Sequence, residues 1–372
     1  MVQVKAKDTL PMRNFAKSYE MYDYNLLFIR WLADFCGVDM MVERYRFNYR
    51  TANCVTVLAF GGSVKFYYGF IHREFYKIQY GRLRRLHYKY RHNQKLNAKL
   101  LLLMERIHIL SKFLTIVFHL TGLGYSIFPL YMYFAHGERV LMIAMRVPWI
   151  DADSNAGYIV TSFLQMVMIV IGCTGLSAAD TVILLFVTNL IAYVDVFTDA
   201  LDALNAMLNA DVRDEWKIRR QVRKICTQHQ DIIEYESDLD ERYIMICFAQ
   251  VIGSVIGMSG CLFLVYMVRF VPGYFILLTV FCQLLEFCLL GTVLTVKNEQ
   301  IVEVIYSTNW YLLREPERRC FALMLHKSQN FSEMTIGGFA PLNLETFVSI
   351  MNRIYSFFMM LINFIEMDSY AA

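Results

Sequence analysis

The chain lacks the motifs that carry catalysis in membrane enzymes. It contains neither H-E-x-x-H nor G-x-S-x-G, and its eight histidines are dispersed along 372 residues rather than clustered. No pair of acidic residues near a membrane face is arranged as a general acid and a general base. These absences argue against an enzyme, and we expect no cofactor, no metal site and no nucleic-acid partner.

Closely spaced cysteines are also absent. The nine cysteines are scattered singly, and no two of them have the spacing of metal ligands. Most lie in or beside apolar stretches, where a free cysteine behaves as a small apolar side chain. We therefore interpret them as core residues, which argues against a disulfide framework and against a zinc site.

Apolar residues are what the sequence has in excess. They make up 57% of the chain, more than a single soluble core could hide. A helix needs about 20 apolar residues to cross a bilayer, and six runs reach or exceed that length. These runs are 52–71, 101–134, 158–196, 243–268, 274–296 and 342–366. We expect an all-α polytopic membrane protein, with the second and third runs projecting beyond the bilayer.

Basic residues assign each connection to a side of the membrane. Nine Lys and Arg residues lie in 72–99, only two in 135–157, and seven in 200–242. Because cytoplasmic loops are enriched in Lys and Arg, the first and third of these connections are predicted to be cytoplasmic. We interpret the mixed charges of 211–242 as a solvated helical extension. The same alternation makes 297–341 cytoplasmic and the carboxyl terminus extracellular.

The amino-terminal 50 residues do not fit this alternation. They hold eight basic residues, yet counting back across the run at 52–71 places them outside. Residues 24–41 could supply a further crossing, but Arg30, Asp34 and Asp39 interrupt them, so an amphipathic interfacial helix is expected there. Residues 1–22 have no apolar core, so no cleavable signal peptide is expected.

The last apolar run carries one polar stripe. Five polar residues recur along it at helical spacing and share one face: Glu345, Ser349, Asn352, Ser356 and Asn363. Polar groups facing hydrocarbon are costly, so the stripe must line a pore or pack against helices of the same chain. Met359 and Met360 flank it, where an apolar constriction could close a pore.

Two segments near the carboxyl terminus resemble a known family. Tyr306, Trp310 and Tyr311 form a Y-x-x-x-W-Y block, and a T-I-G-G-F segment leads into P-L-N-L-E-T-F at 341–347. This pattern is similar to the carboxyl-terminal signature of insect odorant receptors. The resemblance implies a seven-helix bundle with a cytoplasmic amino terminus, an extracellular carboxyl terminus and a cytoplasmic anchor domain. The segment 284–313 also resembles mosquito receptors tuned to indolic volatiles.

The first transmembrane helix of that family looks missing or degenerate here, which would account for the misplaced basic residues. The resemblance divides the chain into four parts. These are a cytoplasmic amino terminus with an interfacial helix (1–50), a ligand-binding bundle (51–296), a cytoplasmic anchor (297–341), and a pore helix with a short tail (342–372).

The resemblance also implies a function. Such a chain is a ligand-selective subunit that joins a shared olfactory co-receptor in a tetrameric odorant-gated cation channel, in the dendrite membrane of an olfactory neuron. Aligned on 344–347, the family's gate falls on Met360 and its polar pore mouth on Asn363, with Ser356 and Met359 beside them. Tyr306, Trp310 and Tyr311 would lie in the subunit anchor.

The resemblance implies an apolar odorant pocket in the outer half of the bundle. Matching by segment gives seven candidate residues: Phe60, Tyr67, Phe118, Tyr125, Gln165, Met168 and Phe281. Each of them is equally compatible with ordinary core packing, since aromatic and Met side chains fill cores at the same helical spacing.

Three ionisable residues lie inside apolar runs: Lys65, Asp180 and Glu286. Such residues are functional candidates, and pairing between helices is the structural alternative. Lys65 could pair with either acid.

Other classes of membrane protein fit less well. A G-protein-coupled receptor would need the opposite orientation and a D-R-Y motif, and a secondary transporter would show internal repeats. Gustatory receptors are the nearest alternative, but the segment from Tyr355 to Asn363 does not match their T-Y-x5-Q-F ending.

Overall fold

The computed structural model describes residues 18–25, 63–137, 154–268, 271–331 and 333–371. Most of the predicted interfacial helix at 24–41, most of the run at 52–71, and Phe60 lie outside these residues. The described part is helical apart from short connections, and it contains no β-strand; Thr335 and Pro341 form one isolated bridge. The prediction of an all-α fold is confirmed.

The helices are long and follow one another through short connections. Residues 18–25 are helical, and the further elements are α1 (Ser63–Ile71), α2 (Arg73–Lys89), α3 (Gln94–His136), α4 (Asn155–Leu208), α5 (Glu215–Val268), α6 (Pro272–Ser307), a 3-10 turn (Trp310–Leu312), α7 (Glu315–Ser328) and α8 (Leu344–Ala371).

Several of these helices are long and apolar enough to span a membrane. Within the described residues, α4, α5 and α6 each contain a segment long and apolar enough to cross a bilayer. With 54 residues each, α4 and α5 extend about 80 Å, far beyond the roughly 30 Å of a hydrocarbon core. The prediction that 158–196 belongs to a helix longer than one span is therefore confirmed.

Local sequence sets where the long helices begin and end. The side chains of Asn93 and Ser154 accept backbone N–H groups one turn into α3 and α4, as N-cap residues do. Gly137 ends α3 in the left-handed conformation at φ 68°, which glycine adopts without steric cost.

Polar contacts join the helices at one end of the bundle, here called the charged end. Arg82 of α2 bonds Glu234 of α5 at 2.7 Å, and Gln79 bonds Asp238 at 2.9 Å. His87 lies 3.2 Å from the Asn189 side-chain oxygen, and burial lowers the pKa of this histidine to about 4. A neutral His87 is therefore part of the core here.

The amino-terminal helical segment packs on this end. The backbone N–H and hydroxyl of Ser18 both donate to the side-chain oxygen of Asn97, and the Asn25 amide donates to the Met104 carbonyl at 2.9 Å. The ring of Tyr22 is buried and stacks on His87 with centroids 5.0 Å apart. Residues 18–25 are thus fixed against α2 and α3 rather than lying free.

The stretch 211–242 is only half solvated. One face of this part of α5 is buried in the core, with Val222, Ile225, Ile232, Tyr235 and Leu239 packed inward. The predicted solvated extension is therefore exposed on one face only, because apolar residues recur here at helical spacing among the charges.

Candidate ligand region, pore helix and subunit anchor

The polar stripe of α8 lies on its outer face. Glu345, Ser349, Asn352, Ser356 and Asn363 are all exposed in the single chain. The opposite face of α8 packs inward through Ile354 and Ile362. The stripe therefore does not pack against the described helices of the same chain, which was the alternative to a pore.

The two methionines lie beside this stripe. Met360 is 46% exposed and Met359 is 37% exposed, so both are available to a neighbouring molecule. The Ser356 hydroxyl donates back to the Asn352 carbonyl at 2.9 Å, which satisfies it within the helix. A large apolar side chain thus stands between two polar positions on an exposed face.

A close contact fixes the start of α8 against α6. The Leu342 carbonyl lies over Gly291, where an added Cβ would be only 1.7 Å from the carbonyl oxygen. The Leu344 N–H donates to the Thr292 hydroxyl at 3.0 Å. Only glycine leaves room for this approach, so Gly291 sets where α8 begins.

A tight turn leads into that contact. The Ile336 N–H donates to the Ala340 carbonyl and the Leu342 N–H to the Met334 carbonyl, both at 2.8 Å. Gly337 has φ 61° and packs against Phe248 of α5. The T-I-G-G-F segment is therefore a positioning element that ties α8 to α5 and α6.

The predicted anchor aromatics are presented on the surface. Tyr306 is 71% exposed and Tyr311 is also exposed, whereas Trp310 is half-buried in the 3-10 turn. The Asn309 N–H donates to the Asn205 side chain at 2.9 Å, which holds this turn on the end of α4. The Tyr306 and Tyr311 rings have no covering element among the described residues, whereas Trp310 packs against the core.

Ion pairs hold α7 in the same region. Arg219 of α5 bonds Glu317 of α7 at 2.9 Å, and Arg314 bonds Glu215 at 3.0 Å. The sequence did not indicate these pairs, because each one joins residues about 100 positions apart.

Five of the seven candidate ligand residues lie in three packed helices, α3, α4 and α6. Phe118 of α3 and Gln165 of α4 are buried, and Tyr125, Met168 and Phe281 are half-buried. Tyr67 of α1 is 64% exposed, so it does not face an enclosed space among the described residues.

Tight packing holds α3, α4 and α6 together in this region. The Thr121 hydroxyl donates to the Phe275 carbonyl at 3.0 Å, and Gly124 lies directly against the Phe275 ring. Gly122 likewise lies directly against the side chain of Cys173 in α4.

One ring contact links this region to α8. Phe281 of α6 meets Phe347 of α8 edge to face, with ring centroids 5.5 Å apart. Sequence reasoning missed Phe347 as a partner, although it lies within the family-like segment 341–347. A displacement of α6 would act directly on α8 through these two rings.

A buried charge cluster crosses the bundle between α1, α4 and α6. The Lys65 ammonium bonds the Asp180 carboxylate at 2.5 Å, and the Gln283 amide donates to its other oxygen at 2.9 Å. Both carboxyl oxygens of Glu286 are buried without a hydrogen-bond partner among the described residues. Of the two predicted alternatives, Lys65 therefore pairs with Asp180. Gln283 was missed, although a Gln inside an apolar run was a signal.

Known proteins resemble this chain in both sequence and fold. A family model described as 7tm odorant receptor matches residues 49–355. Odorant receptor 10 of Aedes albopictus is 24% identical over 250 residues, which are 64% of this chain and 63% of that receptor. Odorant receptor 30a of Drosophila melanogaster is 23% identical over 279 residues, 72% of this chain and 68% of the relative. The chain thus spans less than two thirds of the Aedes receptor.

Two solved structures share the fold. The insect olfactory receptor OR5 from Machilis hrabei has a TM-score of 0.64 at 14% identity, with 95% of this chain and 92% of OR5 covered. OR5 in complex with eugenol has a TM-score of 0.61 at 12% identity, with 92% and 99% covered.

The family model extends over most of the chain, including the anchor aromatics, the T-I-G-G-F turn and the first part of α8. The long apolar helices α4, α5 and α6 agree with a receptor embedded in a membrane. This chain belongs to the insect odorant receptor family, a family of membrane receptors.

Proposed function

We propose that this chain is the ligand-selective subunit of an odorant-gated cation channel, formed together with an olfactory co-receptor in the plasma membrane of olfactory neurons. The observation that carries the proposal is the polar stripe of α8, which is exposed along its length in the single chain. One stripe cannot enclose a water-filled path, so several copies of this helix must face one another.

Charge supports the proposed orientation. The charged end of the bundle holds α2, the first half of α5 and α7, and it carries most of the basic residues. That end would be cytoplasmic, as would the amino terminus, and α8 would run outward to an extracellular carboxyl terminus. The anchor at 297–341, with its exposed Tyr306 and Tyr311, would then meet neighbouring subunits inside the cell.

The proposed ligand site lies among α3, α4 and α6. Buried aromatic and polar side chains suit a small volatile, which binds by dispersion and one or two hydrogen bonds. A ligand opens the channel only if it binds the open state more tightly than the closed one. The contact between Phe281 and Phe347 offers a direct route from this region to α8.

The test is current in cells that express the full chain with and without an insect co-receptor. The relative from Machilis hrabei is solved with eugenol, so the odorant panel includes eugenol along with indoles, alcohols and esters. We expect odorant-evoked cation current only when both chains are present. If both chains reach the surface and no odorant evokes current, the channel proposal fails.

A gate at Met360 makes a specific prediction. Replacing Met360 by alanine removes the bulk of the apolar constriction, so the closed pore should leak and the basal cation current should rise several-fold. Met351→Ala is the matched control, because Met351 is a half-buried methionine on the inward face of the same helix. Equal basal currents in the two variants would contradict a gate at Met360.

The ligand region makes a second prediction. Tyr125→Phe removes one hydroxyl and keeps the ring, so an odorant that bonds this hydroxyl should need about 3- to 10-fold more concentration for half-maximal response. Tyr131→Phe is the control, since Tyr131 is an exposed tyrosine on the same helix. If the two variants need the same concentration of every odorant for a half-maximal response, Tyr125 does not contact the ligand.

A further inference from the structure

A polar cavity lies at the charged end, at the junction of α5, α6 and α7. It encloses about 120 Å³ and is partly open to solvent. Glu236 of α5 and Asn298 of α6 line its deep part, and Lys327 of α7 lines it as an exposed residue. The lining contains none of the candidate ligand or pore residues and none of the three anchor aromatics, although part of it belongs to the proposed anchor at 297–341.

The deep part of the cavity holds buried polar atoms that lack a well-formed hydrogen bond to the described residues. Asn298 is only 1% exposed and Glu236 only 8%. One carboxyl oxygen of Glu236 and both side-chain atoms of Asn298 make no well-formed hydrogen bond to any described residue. Buried polar groups in native proteins are nearly always paired, so water or a bound ligand must complete the contacts of these atoms.

The charges around the cavity decide what can bind there. Burial raises the pKa of the Glu236 carboxyl to about 8, with the Asn298 side chain beside it acting in the opposite direction. Burial and the nearby Lys327 lower the pKa of His229 to about 4, so His229 is neutral at pH 7. Its Nε2 is already within 2.7 Å of the Ser328 hydroxyl.

An anion does not suit the deep part, because it would lie against the Glu236 carboxyl and find no cation there; Lys327 is an exposed residue. A hard metal ion would find only one carboxylate in this lining, and no group of three His, Cys, Asp or Glu side chains that could hold a metal ion occurs among the described residues. A ligand with several N–H donors and an apolar body fits this lining. Its donors can bond the carboxyl and amide oxygens, and its apolar body can cover the apolar side chains.

We propose that this cavity binds a small organic ammonium ion. Its N–H groups donate to the free carboxyl oxygen of Glu236 and to the amide oxygen of Asn298. Its alkyl part lies on Ile232, Ile301 and Phe331. Binding transfers the proton of Glu236 to solvent, so that a carboxylate faces the ammonium group. With the orientation proposed above, the site would be reached from the cytoplasm.

Competition with the proton gives binding a pH dependence. The ammonium ion needs the carboxylate, so below pH 8 its affinity should fall by up to about tenfold per pH unit. The other charged or titratable groups that face the cavity are His229 of α5 and Lys327 of α7. Between pH 6 and pH 8 His229 stays neutral and an alkylamine stays protonated. The protonation of these two groups therefore does not offset the fall in affinity.

The test uses the purified full-length chain in lipid nanodiscs and isothermal titration with n-butylammonium chloride at pH 8. 1-Butanol serves as the uncharged probe of similar shape. We expect n-butylammonium to bind at least tenfold more tightly than butanol, and Glu236→Gln to abolish this preference. Glu299→Gln is the matched control, because Glu299 is the exposed neighbour of Asn298 on α6. This measurement needs no current, so it stands or fails separately from the channel proposal.

A second variant works in the opposite direction. Lys327→Met removes a positive charge from the cavity lining, so it should raise the affinity for n-butylammonium several-fold. The proposal is overturned if n-butylammonium shows no saturable binding at pH 8, or if Glu236→Gln binds it as the unaltered chain does. It is also overturned if equimolar potassium chloride displaces n-butylammonium, since the site would then hold a metal ion.

Discussion

Replacement of Gly291 by alanine is expected to destabilise the protein by about 3 kcal/mol and to abolish odorant-evoked current. The new Cβ would stand 1.7 Å from the Leu342 carbonyl oxygen, a separation that no two such atoms tolerate. The start of α8 would have to move away from α6, and the bond from the Leu344 N–H to the Thr292 hydroxyl would break. Thermal unfolding of the purified protein and whole-cell current measure the two effects.

Gly257→Ala is the matched control for this substitution. Gly257 lies in α5 with no atom near the position of an added Cβ, so alanine there should be neutral or slightly stabilising. The comparison separates the loss of close packing from a general effect of alanine in a long helix. If Gly291→Ala has the same unfolding temperature and the same evoked current as Gly257→Ala, the close approach to Gly291 does not hold α8 in place.

The polar stripe of α8 could be read from sequence because its information is local. Residues three and four positions apart must share a face of any helix, so Ser349, Asn352 and Ser356 define one side without knowledge of the fold. The basic loops likewise follow from composition, whereas the anchor position of Tyr306 came only from the resemblance to a known family. The sequence left open only whether the stripe is buried within the chain, and its exposure answers that.

The remaining features depend on contacts between distant residues. Gly291 is one of several glycines in apolar helices, and only the position of Leu342 distinguishes it. The choice of Asp180 over Glu286 as the partner of Lys65 depends on how α1, α4 and α6 rotate against one another. The cavity at Glu236 and Asn298 joins residues 62 positions apart, and no periodicity connects them.

Removal of the Lys65 ammonium is expected to have the second large effect. Lys65→Met should destabilise the bundle by about 3–5 kcal/mol, because it leaves the fully buried Asp180 carboxylate with no cation beside it. The Gln283 amide would remain as a donor, but one neutral hydrogen bond does not replace an opposite charge. Surface expression and the unfolding temperature of the purified protein report the loss.

The double variant Lys65→Met with Asp180→Asn decides whether charge is the cause. It removes both charges and keeps an oxygen that Gln283 can reach, so it should recover most of the lost stability. Lys77→Met is the control for the single change, because Lys77 forms an exposed pair with Glu74 at 3.1 Å, and such pairs contribute about 1 kcal/mol or less. Equal losses in the single and double variants would mean that Lys65 acts through its packing on Phe287 rather than through its charge.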